Sequence, residues 1–183
     1  ISTLLYANPT TEAQANSVND EYYFLRSWGG DNLMSPRGLD FGLDGTIYIA
    51  SLMNSVVAFN PSSEVFTMWG DFGSEPGYFN EPLDVAVDQL GDVYVSDCLI
   101  DRIQKFTSDG NFVLEWGSHG GGNGQFYCPD GIAINANNEI YVADIWNSRI
   151  QKFSDSGEYI TQWGSQGLDE GEFYHPESVA VDT

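Results

Sequence analysis

The chain has 183 residues, enough for one domain with a real core, and its formal net charge is -21 at pH 7, from 27 acidic and six basic residues. Nucleic-acid binding depends on Lys and Arg neutralising phosphates, so this balance argues against DNA or RNA as a partner. No apolar stretch approaches the length of a transmembrane helix, and no membrane-spanning segment is expected. The acidity is typical of a highly soluble surface, and weak binding of a divalent cation such as calcium is the alternative interpretation.

The first 21 residues differ in composition from the rest of the chain. Residues 1–7 are mainly apolar, and residues 8–21 are rich in Asn, Thr, Ser and Ala without hydrophobic periodicity. We interpret residues 1–21 as an extended N-terminal arm, with a mobile terminus as the alternative. Residues 22–28 predict a single strand ahead of the first full repeat.

A 47-residue period runs through the rest of the chain. Trp69, Trp116 and Trp163 are 47 residues apart. The same spacing separates three prolines and three phenylalanines, namely Pro82, Pro129 and Pro176, and Phe59, Phe106 and Phe153. The copies cover about residues 33–69, 79–116 and 126–163, with a partial copy at 173–183. A period of this length is typical of a solenoid or a propeller.

Each repeat contains four short runs in which apolar residues alternate with polar ones. In the third repeat the runs are residues 132–134, 140–142, 150–153 and 159–163, all rich in β-branched and aromatic residues. Asn, Asp and Gly separate the runs and tolerate the positive φ of tight hairpins. Residues 22–183 are therefore predicted to form an all-β propeller of four-stranded antiparallel blades, with three full blades and partial ones, open or incomplete in this chain.

The pattern within the third repeat supports a family resemblance. Residues 124–153 read GQFYCPDGIAINANNEIYVADIWNSRIQKF, which resembles the NHL repeat, and the resemblance extends over roughly residues 22–182. NHL propellers include scaffolds, RNA binders and a few lyases, so the resemblance implies a β-propeller without fixing an activity. The acidic charge makes the RNA-binding branch a poor match.

The first repeat lacks a pair of charged residues that the other two share. Ser51 stands where the later repeats have Asp97 and Asp144, and one residue is missing where they have Arg102 and Arg149. Joint loss suggests that Asp and Arg pair across the turn between the second and third strands. We interpret Asp97 with Arg102 and Asp144 with Arg149 as structural ion pairs, each worth about 1 kcal/mol if partly exposed.

The same turns carry apolar residues at their tips, where polar residues are expected. The three tips are Leu52 and Met53, Leu99 and Ile100, and Ile145 and Trp146. Side by side on one end of a propeller, they would form an apolar patch of the kind that marks a protein interface. The alternative is that these side chains fold inward over the blade ends.

Two cysteines lie at different positions of successive repeats. Cys98 falls in a turn between the second and third strands, and Cys128 lies just before the innermost strand of the next blade. In a meander both connections emerge at the same end, so we predict an inter-blade disulfide, which would stabilise the fold by about 3–4 kcal/mol and indicate an oxidising compartment. Two buried free thiols are the alternative.

No catalytic residues are identified. The best candidates for a cation site are near the starts of the innermost strands, at Asp84, Asp130, His175 and Glu177. The alternative is that these are solvated turn residues. The expected function is that of a non-catalytic, extracellular interaction or structural protein, without a firm cofactor, that binds copies of itself, in an oligomer or filament, or another protein. A fragment of a cation-dependent lyase or hydrolase is the alternative.

Overall fold

The computed structural model describes residues 35–182. The predicted N-terminal arm at residues 1–21 and the single strand at residues 22–28 lie outside the described residues. Within residues 35–182, no helix has both the length and the apolar character needed to cross a membrane.

The described residues form three antiparallel sheets of four strands, each strand paired with the next along the chain. The first sheet contains β1 (Pro36–Phe41), β2 (Ile47–Ser51), β3 (Ser55–Asn60) and β4 (Val65–Trp69). The second contains β5 (Pro82–Val87), β6 (Val93–Asp97), β7 (Arg102–Phe106) and β8 (Phe112–Trp116). The third contains β9 (Pro129–Ile134), β10 (Ile140–Asp144), β11 (Arg149–Phe153) and β12 (Tyr159–Trp163). The predicted fold of four-stranded antiparallel blades is confirmed, and we call the three sheets the first, second and third blades.

The chain beyond the third blade differs from the sequence-based prediction. An inner strand is expected in the partial repeat at 173–183, but residues 174–182 form no strand in the described structure. The segment still lies beside β9, because the Gly131 amide donates a hydrogen bond of 3.0 Å to the Glu177 carbonyl oxygen.

Aromatic side chains fill the space between neighbouring blades. The indole of Trp69 in the first blade lies 5.9 Å from the ring of Phe106 in the second, and Trp116 lies 5.7 Å from Phe153 in the third. Large apolar side chains bury most of their surface in these two layers, so each repeat is stabilised mainly by its neighbour.

The innermost strands of adjacent blades are joined by carboxylate side chains. Asp40 Oδ2 in β1 accepts a hydrogen bond of 2.8 Å from the Val87 amide in β5. Asp84 Oδ2 in β5 likewise accepts one of 3.0 Å from the Ile132 amide in β9. Gly38 leaves room for the Asp84 carboxylate, with which a Cβ at that position would overlap. The two carboxylates thus accept hydrogen bonds from amides of the innermost strands, which have no further strand beside them within their own blade.

The connections alternate between the two ends of the blades, as an antiparallel meander requires. The long segments that precede the inner strands, residues 70–81, 117–128 and 164–175, share one end with the β2–β3, β6–β7 and β10–β11 turns. We call this end the loop face. The opposite end, which carries the β1–β2 and β3–β4 turns and their equivalents, is the turn face.

Candidate functional site

The apolar tips on the loop face divide into exposed and half-buried side chains. One residue of each tip is exposed, with 56% of Met53, 59% of Leu99 and 53% of Trp146 accessible to solvent. Their neighbours in the tips are partly buried, namely Leu52, Ile100 and Ile145. The structure therefore contains both arrangements considered from the sequence, since in each tip one side chain faces outward and the other turns toward the blade end.

The backbone geometry of the turns explains why one side chain of each tip is exposed and the other is half-buried. Cys98–Ile100 and Ile145–Asn147 form single 3₁₀ turns, which end at Asp101 and Ser148 with φ of 57° and 53°. The left-handed residue reverses the chain into the next strand, so the middle residue of each turn stands out from the blade. Those middle residues are Leu99 and Trp146.

An aromatic strip extends from Trp146 across the loop face. We define it as Tyr127, Trp146, Tyr174 and His175. The His175 ring lies 4.4 Å from Trp146 and 4.3 Å from Tyr174, and Tyr127 lies 6.1 Å from Trp146. Both tyrosines are exposed. Sequence analysis missed them, although each stands two residues before a repeat proline and the two are 47 residues apart.

Backbone hydrogen bonds fix the tips to the segments that precede the inner strands. The Trp146 amide donates to the Tyr127 carbonyl oxygen at 3.2 Å, and the Ile145 amide donates to that of Cys128 at 3.3 Å. In the second blade, the Leu99 amide donates in the same way to the Asn80 carbonyl oxygen at 3.2 Å. The exposed side chains therefore project from an ordered backbone, so little conformational entropy would be lost when they bind.

The predicted disulfide between Cys98 and Cys128 is present. It joins the β6–β7 turn of the second blade to the segment before β9 of the third. Asp101 reinforces the junction, because its Oδ1 accepts a hydrogen bond of 2.8 Å from the Cys128 amide and its Oδ2 lies 2.9 Å from His119 Nδ1. The loop face is therefore linked across the second and third blades.

Each repeat arginine binds backbone carbonyl oxygens of a loop segment in addition to its aspartate. Arg149 Nε lies 2.8 Å from Asp144 Oδ2, while the other guanidinium nitrogens donate to the carbonyl oxygens of Gly121, Gly122 and Gln125 at 2.8–2.9 Å. The pair is buried rather than partly exposed. Removing one partner would leave the other charge buried and unpaired. The free energy of unfolding should then fall by about 3–5 kcal/mol, rather than by the roughly 1 kcal/mol of an exposed pair.

The equivalent pair in the second blade is looser. Arg102 Nε is 3.9 Å from Asp97 Oδ2, and the guanidinium instead bonds Glu115 and the carbonyl oxygens of Ser74 and Tyr78. Burial raises the pKa of Asp97 to about 7, against the lowering effect of the hydrogen bonds from the Asn80 amide and of the Arg102 charge.

The first blade corrects one detail of the sequence alignment. Ser51 pairs with Ser55 at the position where Asp97 pairs with Arg102. Ser55 therefore occupies the arginine position, and the missing residue belongs to the β2–β3 turn. Sequence spacing alone could not locate the gap, because a one-residue deletion fits equally well at several points of a short turn.

The four cation-site candidates do not assemble into a ligand set. Burial raises the pKa of Asp84 and of Asp130 to about 6, and the negative charges of Asp84 and Glu177 contribute to the second shift. However, the Asp84 carboxylate already accepts the amides of Val85 and Ile132, and His175 contacts Trp146. Within residues 35–182, no group of three or more His, Cys, Asp or Glu side chains is placed to hold a metal ion. Among the described residues, the candidate cation site therefore gains no geometric support.

Comparison with known proteins agrees with this architecture. Residues 79–106 and 126–153 match the NHL repeat family, so the second and third blades carry NHL repeats. Among solved structures, a streptogramin B lyase is similar at 18% identity and a TM-score of 0.61, over 80% of this chain and 44% of that chain. Hydrazine synthase of Kuenenia stuttgartiensis matches at 19% identity and a TM-score of 0.61, over 80% and 39%.

A third match is an auxiliary nutrient binding protein from Bacteroides thetaiotaomicron, at 15% identity and a TM-score of 0.61, over 79% of this chain and 42% of that chain. The chain thus spans less than half the length of these three proteins. At such identities the similarity shows a shared fold and carries no information about activity.

Proposed function

We propose that this chain, whose propeller blades carry two NHL repeats, is a non-catalytic interaction protein that binds protein partners, including copies of itself, through its loop face. The observation that carries the proposal is the aromatic strip on the loop face, which also carries the exposed side chains of Met53 and Leu99. Exposed apolar and aromatic side chains grouped on one surface are typical of protein interfaces.

The composition of the strip favours protein binding over a merely irregular surface. Trp and Tyr supply large contact areas with few rotatable bonds, and they are enriched among the residues that contribute most to binding. The hydrogen bonds of Trp146 and the Cys98–Cys128 disulfide hold this surface in one geometry. Preorganisation of this kind lowers the entropic cost of association.

The outer tryptophan of each blade marks where the following blade packs. Trp69 and Trp116 are each covered by a glycine of the following blade, Gly110 and Gly157. Trp163 occupies the equivalent position in the third blade and is 42% exposed. A further blade would cover this indole as the first two are covered, and where a neighbouring copy supplies that blade, repetition of the contact gives an oligomer or a filament.

An extracellular location fits the chemistry of the chain. Disulfides persist in oxidising compartments and are rare in the cytosol. The Cys98–Cys128 bond joins two blades and lies beside the proposed interface. The disulfide supports this location, and the net charge of -21 is compatible with it.

The test is the Ile145→Ser, Trp146→Ser double variant, measured by sedimentation velocity over a concentration series. We expect a smaller weight-average mass than that of the parent chain, with an unchanged circular dichroism spectrum. Leu90→Ser is the matched control, because Leu90 is 74% exposed but lies in the β5–β6 turn on the turn face. Equal masses for parent and double variant at every concentration would refute loop-face association.

A lyase or hydrolase remains the alternative proposal. The feature in its favour is the pair of half-buried carboxyl groups of Asp84 and Asp130, whose pKa values of about 6 suit proton transfer near neutral pH. Incubation with a streptogramin B, the substrate class named for one similar structure, followed by mass spectrometry, tests it. Product formation that disappears in Asp130→Asn would favour the enzyme.

A further inference from the structure

A pocket opens on the turn face between the first and second blades. Its volume is about 240 Å³, and its walls include Asp44, Thr46, Tyr48, Ala58, Asn60 and Asp109. It lies at the opposite end of the blades from the loop face, so it is independent of the proposed interface.

In the second blade, a lysine side chain occupies the position that corresponds to this pocket. Tyr94 in β6 is paired with Lys105 in β7. The lysine Nζ lies 4.9 Å from the centroid of the Tyr94 ring, 2.9 Å from Asp92 Oδ2 and 3.7 Å from Asp88 Oδ2. An ammonium ion is thus held between an aromatic ring and carboxylates.

The third blade repeats the arrangement. Tyr141 in β10 is paired with Lys152 in β11. The Lys152 Nζ lies 5.3 Å from the Tyr141 ring centroid and 2.8 Å from Glu139 Oε2. The two blades therefore supply an internal example of how this position binds a primary ammonium group.

The first blade keeps the tyrosine but lacks the lysine. Tyr48 in β2 is paired with Ala58 in β3, and the alanine methyl group ends where the longer side chain would begin. Both residues line the pocket. The cavity therefore corresponds to the volume that a lysine side chain fills in the other two blades.

The first blade carries a carboxylate near this position, although at a different place in the repeat, since Thr46 stands where the second blade has Asp92. Asp44 accepts hydrogen bonds from the Thr46 amide and hydroxyl, both at 3.0 Å, and from Asn60 Nδ2 at 3.2 Å. The hydrogen bonds from Thr46 are the main cause of the lowered pKa of Asp44, so the carboxyl is ionised at neutral pH. Asp109 lies in the opposite wall, and no Lys or Arg is among the described residues that line the pocket.

The two carboxylates of the pocket also affect Tyr48 at its base. Its hydroxyl donates a hydrogen bond of 3.3 Å to the Ser108 carbonyl oxygen. Burial raises the pKa of Tyr48, and the negative charges of Asp44 and Asp109 raise it further. The phenol is therefore neutral near pH 7, and Tyr48, which is 4% exposed, forms part of the pocket wall.

We propose that the pocket between the first and second blades binds a primary alkylammonium ion, with the ammonium group over the Tyr48 ring near Asp44 and Asp109 and the alkyl chain against Ala58. The ligand would be a free alkylamine or the lysine side chain of a partner protein, since both present the same group. Either would place an ammonium group over the tyrosine ring, as Lys105 and Lys152 do in the other two blades.

The test is a titration of the isotopically labelled chain with n-butylammonium chloride, followed by NMR of the Tyr48 ring and the Thr46 amide. We expect saturable shifts confined to the pocket and no saturable shifts with n-butanol, which has the same chain without the charge. Asp44→Asn should weaken binding about threefold, as loss of one exposed charge contact predicts. Absence of saturable shifts at millimolar n-butylammonium would overturn the proposal.

Two variants that fill the cavity complete the test. Ala58→Lys should abolish binding, because its own ammonium group would occupy the site as Lys105 does in the second blade. Ala58→Met fills the volume without a charge and should also abolish binding. If one of the two variants folds poorly, the other still tests the proposal. Undiminished binding in a folded filled variant would overturn the proposal.

The source of the amine is distinguished in the same assay. Putrescine is compared with N-acetyl-lysine methylamide, which presents a lysine side chain without a free α-amino group. Tighter binding of putrescine indicates a free amine, whereas tighter binding of the lysine derivative indicates a protein partner. Either outcome supports the ammonium site, and equal failure of both compounds counts against it.

Discussion

Gly110 lies directly against the indole of Trp69, so closely that a Cβ on the glycine would stand 2.6 Å from Trp69 Cδ2. Gly157 bears the same relation to Trp116, at 2.8 Å from Cδ2. In both cases the last turn of one blade sits on the tryptophan of the preceding blade. The repeat therefore requires glycine here for its turn conformation and for contact between blades.

Gly110→Ala should destabilise the chain by about 3 kcal/mol, since alanine would combine the strain of φ +82° with displacement of the indole. Gly91→Ala is the control, because it has a similar φ of +87° but nothing within 4 Å of the added Cβ. It should cost only about 1 kcal/mol. Urea unfolding measures both variants, and equal losses would contradict a contact requirement.

Removal of the disulfide should lower the free energy of unfolding by about 3–4 kcal/mol, since the bond joins cysteines 30 residues apart. Cys98→Ser with Cys128→Ser is the variant to measure, by urea unfolding without reductant. The parent chain in reductant should show a similar loss. A loss below about 1 kcal/mol would mean that backbone contacts alone fix this junction.

Asp40→Ala should expose the Val87 amide to solvent exchange, because the carboxylate accepts its hydrogen bond at 2.8 Å. Hydrogen exchange at Val87 should accelerate, and stability should fall by about 1–3 kcal/mol. Asp40→Asn retains an acceptor oxygen and is expected to lose less. Unchanged exchange at Val87 in the alanine variant would show that the contact between β1 and β5 does not depend on this side chain.

Stability should decrease as the pH rises from about 5 to 8. Burial raises the pKa values of Asp84 and Asp130 to about 6 and that of Asp97 to about 7, from 3.8. The folded chain thus binds protons more tightly than the unfolded chain between about pH 4 and 7, and this contribution is lost as pH rises through the folded pKa values. After allowance for partial exposure, we expect a decrease of about 2 kcal/mol.

Urea unfolding at about pH 5 and pH 8 measures the decrease. Repulsion among the many other carboxylates acts in the same direction, so variants are needed to isolate the three groups. Asp97→Asn should reduce the difference between the two pH values, whereas Asp155→Asn, at an exposed turn residue, should leave it nearly unchanged. An equal effect of both variants would assign the pH dependence to overall charge.

The sequence predicted the blades well because each is built from local signals. The strand at residues 159–163 coincides with β12, and the Asn and Gly residues of the turns adopt positive φ, as at Asn138 and Gly157. Alternating hydrophobicity and turn chemistry act over fewer than ten residues, and a 47-residue period repeats the same signals three times.

Features that depend on how blades approach one another were not predicted. The sequence suggested Asp84 as a cation ligand and gave no role to Asp40, yet both accept hydrogen bonds from the next blade. Their roles depend on the lateral spacing of strands that are 47 or 48 residues apart in sequence. Tyr127 and Tyr174 were missed because an aromatic residue in a loop gives no local indication of its neighbours.

Burial of the basic side chains has a practical consequence for proteolysis. Three of the basic side chains are buried, namely Arg102, Lys105 and Arg149. The fourth, Lys152 in β11, forms an ion pair with Glu139. Trypsin cleaves after Lys and Arg, so residues 38–182 offer it no freely accessible bond when folded and four when unfolded. Cleavage in this region therefore reports the population of opened molecules and provides a direct assay of global unfolding.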